Sequence, residues 1–189
     1  FHKIKWLGSI IYFGTMSGLL YLDLFNSEWN KITTSNGLYD SAIWDMVEND
    51  NSIYLATANG LNEVSIINHS IIPDNDKKFD FLLHVSIYDL ESDSKNFYLA
   101  TDIGLFKMDW DDLSHQLISN KIFNKILLDN NNIFGLNEDL WRIDFELKDE
   151  LIMANVHDFD VCNSYVWVSK KNKAKVLNLI TSIDLDYNY

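Results

Sequence analysis

The chain has 189 residues, 47% of them apolar and 23% charged, which is enough to bury a core and too apolar for a disordered polymer. Acids outnumber bases 28 to 15, and the net charge of −13 repels nucleic acids and anionic membrane surfaces. One cysteine, Cys162, excludes an internal disulfide and a thiolate metal cage, and no apolar run is long enough to span a bilayer.

The first segment, FHKIKWLGSIIYFGT, sets Lys3 and Lys5 ahead of an apolar run, as a short signal peptide does. Within it, however, IYFGTMSGLLYLD at 11–23 is the first copy of a recurring unit, so the segment is assigned to the fold. IYLATANGLNEV follows at 53–64 and FYLATDIGLFKMD at 97–109. Weaker copies stand at 133–144, IFGLNEDLWRID, and at 166–179, VWVSKKNKAKVLNL. Their anchoring aromatics, Tyr12, Tyr54, Tyr98, Phe134 and Trp167, recur at intervals of roughly 33 to 44 residues. The fourth copy lacks the turn glycine and reads one residue short there. The fifth keeps only the aromatic and the strand pattern.

Each unit has the same parts. An apolar run opens it, as in AIWDMV at 42–47, VSIYDL at 85–90, FNKILL at 123–128 and HDFDV at 157–161. A polar turn, the aromatic strand, Thr-x-x-Gly and a second strand follow, and a less regular stretch such as EWNKIT at 28–33 closes the unit. Short β-branched and aromatic segments divided by Asn, Asp, Ser and Gly read as strands joined by tight turns. No window sustains a capped helical period, so helix is expected to be scarce. Gly18, Gly60 and Gly104 suit the positive φ of a hairpin turn, and the Thr15, Thr57 and Thr101 hydroxyls suit hydrogen bonds to turn amides. These six are read as structural.

Four strands per roughly 40 residues is the period of a β-propeller blade. The expected fold is all-β, a single propeller domain over 1–189. Its approximate blades are 1–34, 35–80, 81–120, 121–154 and 155–189, either closed on themselves or part of a larger ring. No Gly-His or Trp-Asp pair recurs in phase as in WD40 repeats, and no Gly-Gly pair as in kelch. An immunoglobulin-like sandwich does not explain copies in phase.

One column carries a candidate site. Ten residues before Tyr54, Tyr98 and Trp167 stand Trp44, Tyr88 and His157. Nine before them stand Asp45, Asp89 and Asp158. An aromatic and an acid repeated at the start of each inner strand suit a channel mouth, where rings stack on sugars or apolar ligands and carboxylates accept hydroxyl hydrogen bonds. The competing reading is packing, because neighbours on a strand face opposite sides. The aromatic then packs between blades and the Asp is held by backbone amides. Asn59, with Ser17 and Asp102, occupies the turns of the same face.

Other chemistry is poorly supported. Asp45, Asp89 and Asp158 are the only carboxylates with a positional rationale for glycoside hydrolysis. DWDD at 109–112 and DNDKKFD at 74–80 lack the spacing of a calcium loop, and the five histidines lack zinc spacing. Neither a catalytic set nor a metal site nor a cofactor is expected. Lys170, Lys171, Lys173 and Lys175 form the one basic cluster and read as a solvated hairpin. Asn68-His69-Ser70 fits a glycosylation sequon, a triplet common by chance.

The stretch TTSNGLYDSAIWDMVENDNSIYLATANGLNEV at 33–64 resembles the two-component regulator propeller repeat. The resemblance lies in Asn36-Gly37-Leu38, Ile43-Trp44, Glu48-Asn49-Asp50, Tyr54-Leu55-Ala56-Thr57 and Gly60-Leu61. A second good copy covers 85–109 and a partial one 10–23, and the match fades after about 120. The family commonly has Trp where Tyr54 and Tyr98 stand here. The resemblance implies a non-enzymatic extracytoplasmic sensor domain that binds a small molecule, a saccharide above all, ahead of a membrane-bound kinase. No kinase motif lies in these residues. A protein-interaction module of a surface or secreted bacterial protein is the alternative, and a propeller glycosidase or lyase is a third reading.

Overall fold

The computed structural model describes residues 2–129, 132–144, 148–162, 165–171 and 173–178, and the backbone of 184–188. These residues are built from strands, with two short 3-10 turns at Thr34–Asn36 and Asp80–Leu82. Five four-stranded antiparallel sheets follow one another along the chain. Sheet 1 is β1 (Lys3–Leu7), β2 (Ile10–Thr15), β3 (Gly18–Asp23) and β4 (Glu28–Ile32). Sheet 2 is β5 (Ile43–Asn49), β6 (Ser52–Thr57), β7 (Gly60–Ser65) and β8 (Ser70–Ile72). Sheet 3 is β9 (Ile87–Ser92), β10 (Asn96–Thr101), β11 (Gly104–Asp109) and β12 (His115–Ser119). Sheet 4 is β13 (Lys125–Asp129), β14 (Asn132–Leu136), β15 (Leu140–Asp144) and β16 (Asp149–Met153). Sheet 5 is β17 (Asp158–Cys162), β18 (Tyr165–Lys170), β19 (Lys173–Asn178) and β20 (Asp184–Asn188). Each sheet is a simple meander of neighbours in sequence, and the whole is a propeller-like array.

The core lies between sheets. Four hydrophobic clusters fill four interfaces: sheets 1 and 2 around Tyr12, Leu19, Met46 and Leu55, and sheets 2 and 3 around Tyr54, Leu61, Phe97 and Leu99. Sheets 3 and 4 meet around Tyr98, Leu105, Phe123 and Ile126, and sheets 4 and 5 around Phe134, Leu140, Phe159 and Val166. Strand alternation explains the anchoring motif. In β10, Phe97 and Leu99 face sheet 2 while Tyr98 and Ala100 face sheet 4, so every second residue serves a different interface. The same strand in sheet 5, β18, is buried on one side only, and Trp167 is 53% exposed. On sheet 1, Ile4, Trp6 and Trp29 are likewise uncovered. Among the described residues no hydrophobic cluster joins sheet 5 to sheet 1, so the array is open at both ends.

The Thr-x-x-Gly turns share one geometry. The hydroxyls of Thr15, Thr57 and Thr101 donate to the carbonyls of Gly18, Gly60 and Gly104 at 2.7, 2.7 and 2.6 Å. They accept the N–H groups of Ser17, Asn59 and Ile103 at 3.0, 3.2 and 3.2 Å. The turn of sheet 4 agrees with the sequence reading. Tyr12, Tyr54 and Tyr98 pair with Tyr21, Glu63 and Lys107, nine residues on, whereas Phe134 pairs with Arg142, eight on. This hairpin is thus one residue short, with Asn137, Glu138 and Asp139 between the paired Leu136 and Leu140. At Gly104 φ is +127°, and an added Cβ would lie 2.6 Å from the Ser119 carbonyl oxygen. Gly104→Ala is therefore expected to cost about 2–3 kcal/mol, read as a lowered urea midpoint with an unchanged slope.

The two acidic stretches weighed for calcium serve as local caps. Asp74 accepts the N–H groups of Lys78 and Phe79, both at 2.8 Å. Asp109 accepts that of Asp111, and Asp112 that of Ser114, both also at 2.8 Å.

Candidate functional site at the inner strands

The innermost strand of each sheet begins with a pair of residues held in equivalent register. Asp45 stands opposite Ala56, Asp89 opposite Ala100 and Asp158 opposite Ser169. Lys3 stands opposite Gly14 and Lys125 opposite Leu136 in the same way. The pairs His2-Lys3, Trp44-Asp45, Tyr88-Asp89, Asn124-Lys125 and His157-Asp158 thus recur in all five sheets. The register slips between Ile43 and Asp45 and between Ile87 and Asp89, so Trp44 and Tyr88 are the extra residues of β-bulges. In the other sheets the preceding residue also doubles up on its partner's carbonyl. His2, Asn124 and His157 donate their N–H groups to Gly14, Leu136 and Ser169 at 3.0, 2.7 and 2.9 Å.

The bulges settle an ambiguity of the sequence. Strict alternation would send Trp44 and Asp45 to opposite sides, but a bulge sets two residues against one and re-aims a side chain. Both members of the first four pairs line one axial cavity of about 380 Å³, with Glu91 and Leu127. The structure brings Trp44, Asp45, Tyr88 and Asp89 together. It places Asp158 beyond Lys125, and His157 at a separate cavity beside the Lys170–Lys173 hairpin. Asn59 lies away from the axial cavity. Its amide donates to the Tyr39 carbonyl at 3.4 Å, and its Oδ1 meets His84 Nδ1 at 3.0 Å. Ser17 is exposed, and Asp102 donates its N–H to Ser86.

The charged members brace neighbouring sheets. Lys3 Nζ lies 2.8 Å from Asp45 Oδ1. Asp45, 2% exposed, accepts the N–H of Leu90 in sheet 3 at 3.0 Å through Oδ2. Asp89 accepts the N–H of Ile126 in sheet 4 at 2.7 Å. Lys125 reaches sheet 5, donating to Asp158 Oδ1 and to the Phe159 carbonyl, both at 2.7 Å. Each side chain thus touches the residue that follows its counterpart in the next sheet, or that counterpart itself.

Electrostatics follow from this crowding. Burial, then the hydrogen bond and charge of Asp45, push the Asp89 carboxyl well above the usual carboxylate range, against the pull of Ile126 N–H and Lys3. Burial also raises Glu91, and Lys3 opposes it. Burial works against the Lys3 ammonium, but Asp45, Asp89 and Glu91 together hold its pKa above the usual value. Asp158 goes the other way. Its partial burial is outweighed by the Lys125 ammonium, which holds it low. Trp44 packs edge-on against His2, ring centroids 4.9 Å apart, and its Nε1 has no hydrogen-bond acceptor within the described residues.

Sequence reasoning overlooked His2-Lys3 and Asn124-Lys125. The signal was present, because they stand ten and nine residues before Tyr12 and Phe134, the same offset as the other three pairs. These two sheets carry lysine at the acid position, so an aromatic-acid pattern does not include them.

No family model matches the chain, and no curated protein matches it in sequence. Solved structures do resemble it. The extracellular domain of BT4673 from B. thetaiotaomicron, a proposed hybrid two-component system, superposes with a TM-score of 0.73 at 15% identity, over 96% of this chain and 30% of that one. PorZ, a surface component of the type-IX secretion system of Porphyromonas gingivalis, gives 0.67 at 15% identity over 100% and 27%. The dihydro-heme d1 dehydrogenase NirN gives 0.69 at 10% identity over 97% and 45%. The chain spans between about a quarter and under half of the length of these proteins, and at such identities the likeness is one of fold.

Proposed function

We propose that residues 1–189 are the blades of an extracytoplasmic sensing propeller of the two-component regulator type, forming one structural unit that belongs to a larger ring. The axial cavity binds a polyhydroxylated small molecule, a saccharide, without turning it over. One observation carries this reading: four successive sheets deliver His2-Lys3, Trp44-Asp45, Tyr88-Asp89 and Asn124-Lys125 to a single cavity of about 380 Å³. That volume suits a small ligand, the indole and phenol rings offer stacking faces, and the carboxyl and amide groups match hydroxyls. The fold likeness to an extracellular sensor domain supports the setting.

A non-enzymatic role fits the carboxyl geometry. Asp45 and Asp89 interact closely enough for Asp45 to raise the Asp89 carboxyl, and each is held by a backbone N–H of the next sheet. Glycoside hydrolases hold their two carboxyls about 5 Å or more apart, with the scissile bond between them.

The test is calorimetric titration with neutral oligosaccharides. Trp44→Ala is expected to weaken binding roughly tenfold or more while the melting temperature stays within a few degrees, since Trp44 is partly exposed and outside the hydrophobic clusters. Unaltered affinity in that variant sinks the axial site, and turnover of the glycan sinks the non-enzymatic reading. A protein-interaction module is favoured by one feature, the uncovered apolar face of Ile4, Trp6 and Trp29 on sheet 1.

A further inference from the structure

The hairpin between β18 and β19 departs from the other turns in charge. Lys170 and Lys173 pair across it in the register that Thr57 and Gly60, or Thr101 and Gly104, hold in sheets 2 and 3, and Lys171 lies in the turn itself. A cavity of about 660 Å³ opens between this hairpin, the turn of sheet 4 at Asn137 and Glu138, and the entry to β17 at His157. It lies at the end of the sheets where the second strand turns into the third, and it is distinct from the axial cavity.

Among the described residues these lysines share the lack of a carboxylate partner with Lys31, Lys78, Lys95 and Lys121, but Lys170, Lys171 and Lys173 are gathered at one cavity. Lys3, Lys5, Lys77, Lys125 and Arg142 each hold a carboxylate. Among the described residues Lys170, Lys171 and Lys173 hold none, in a chain where acids outnumber bases 28 to 15. Among the described residues Glu138 is the one acid lining the cavity, and it is exposed. An anion placed at this hollow is attracted by the lysines that line it and can take charge-assisted hydrogen bonds from them. Asn137 and His157 supply further polar contacts for hydroxyls.

We propose that this cavity is a second binding site, for an oligosaccharide carrying carboxylate or sulfate groups. Its net positive lining sets it apart from the axial cavity, where Asp45 and Glu91 stand against Lys3 and Lys125. The two sites select by charge, one for neutral sugars and one for acidic sugars. The acidic-sugar site stands on its own observation and does not require the axial reading.

The experiment titrates the protein with a sulfated tetrasaccharide, its unsulfated parent and a single-stranded DNA of equal charge, at low and at physiological salt. The sulfated sugar is expected to bind, more weakly as salt rises, and the DNA at least roughly tenfold less tightly. Replacing Lys171 and Lys173 together by Glu is expected to weaken the sulfated sugar roughly tenfold or more. Replacing both by Arg retains binding, and Trp44→Ala leaves it unchanged. Undiminished binding by the glutamate variant, DNA bound as tightly as the sugar, or no binding of the sulfated sugar at either salt overturns the proposal. Loss of sulfated-sugar binding in Trp44→Ala also overturns it, by placing the ligand in the axial cavity. Failure of Trp44→Ala to weaken neutral sugars sinks the axial reading alone.

Discussion

Asp45→Ala is expected to destabilise the protein by about 3 kcal/mol at neutral pH, and Asp89→Asn to stabilise it increasingly as pH rises. The two carboxyls are neighbours at one cavity, yet they do opposite things. Asp45 is almost wholly buried and serves three groups: the Lys3 ammonium, the Leu90 N–H and the Asp89 carboxyl. Alanine strands all three, and the Leu90 N–H is itself buried. Lys3 is 39% exposed and recovers water, which keeps the loss below that of a fully buried pair.

Asp89 carries the pH dependence. Its folded pKa is raised, so between the usual carboxylate value near 4 and about 9 the folded protein holds a proton that the unfolded chain has released. Stability therefore falls as pH rises through that window. Glu91, also raised by burial, adds the same sign. Asparagine is the isostere of the protonated acid: its amide donates to Asp45 and its oxygen accepts Ile126 N–H. Chemical denaturation of wild type and Asp89→Asn should agree near pH 4 and below and diverge progressively above it, by at least about 1.4 kcal/mol near pH 8.5, the worth of one pKa unit. Parallel curves across that range would show that Asp89 is ionised throughout.

The array was legible because it is periodic. An aromatic strand, a Thr-x-x-Gly turn and a returning strand recur often enough that one copy interprets the next, and the first three copies carry the most regular turns. Sheets 4 and 5 were harder because their turns have diverged, to Asn137-Glu138-Asp139 in one and to the lysine hairpin in the other. Of the ring at the inner strands, the acidic half was legible and the basic half was not. Lys3 and Lys125 occupy the acid positions of their sheets, and pairing a positive residue with Asp45 or Asp158 requires knowing which sheets are neighbours. The bulges at Trp44 and Tyr88 left no mark in composition. They are a property of the paired strands, two residues against one, and not of either strand alone.

Phe97→Ala is expected to cost about 3–5 kcal/mol, while Trp6→Ala, a larger truncation, should cost under about 0.5 kcal/mol. Phe97 is fully buried between sheets 2 and 3, stacked on Trp110 with centroids 4.2 Å apart and tilted 32° to Tyr54 at 5.6 Å. Removing the ring leaves a cavity walled by side chains of two sheets, which close on it only by separating elsewhere. Trp6 lies on the uncovered face of sheet 1 at 68% exposure, and its indole N–H is held by the Gly8 carbonyl of its own strand turn. The contrast tests the open architecture directly. An array joined through neighbours alone derives its stability from each interface, so a residue matters by whether a sheet covers it rather than by its size. Urea unfolding followed by tryptophan fluorescence and by circular dichroism separates the cases. A cost at Trp6 comparable to that at Phe97 would mean that the outer face of sheet 1 is covered in solution and that the ends of the array have found a partner.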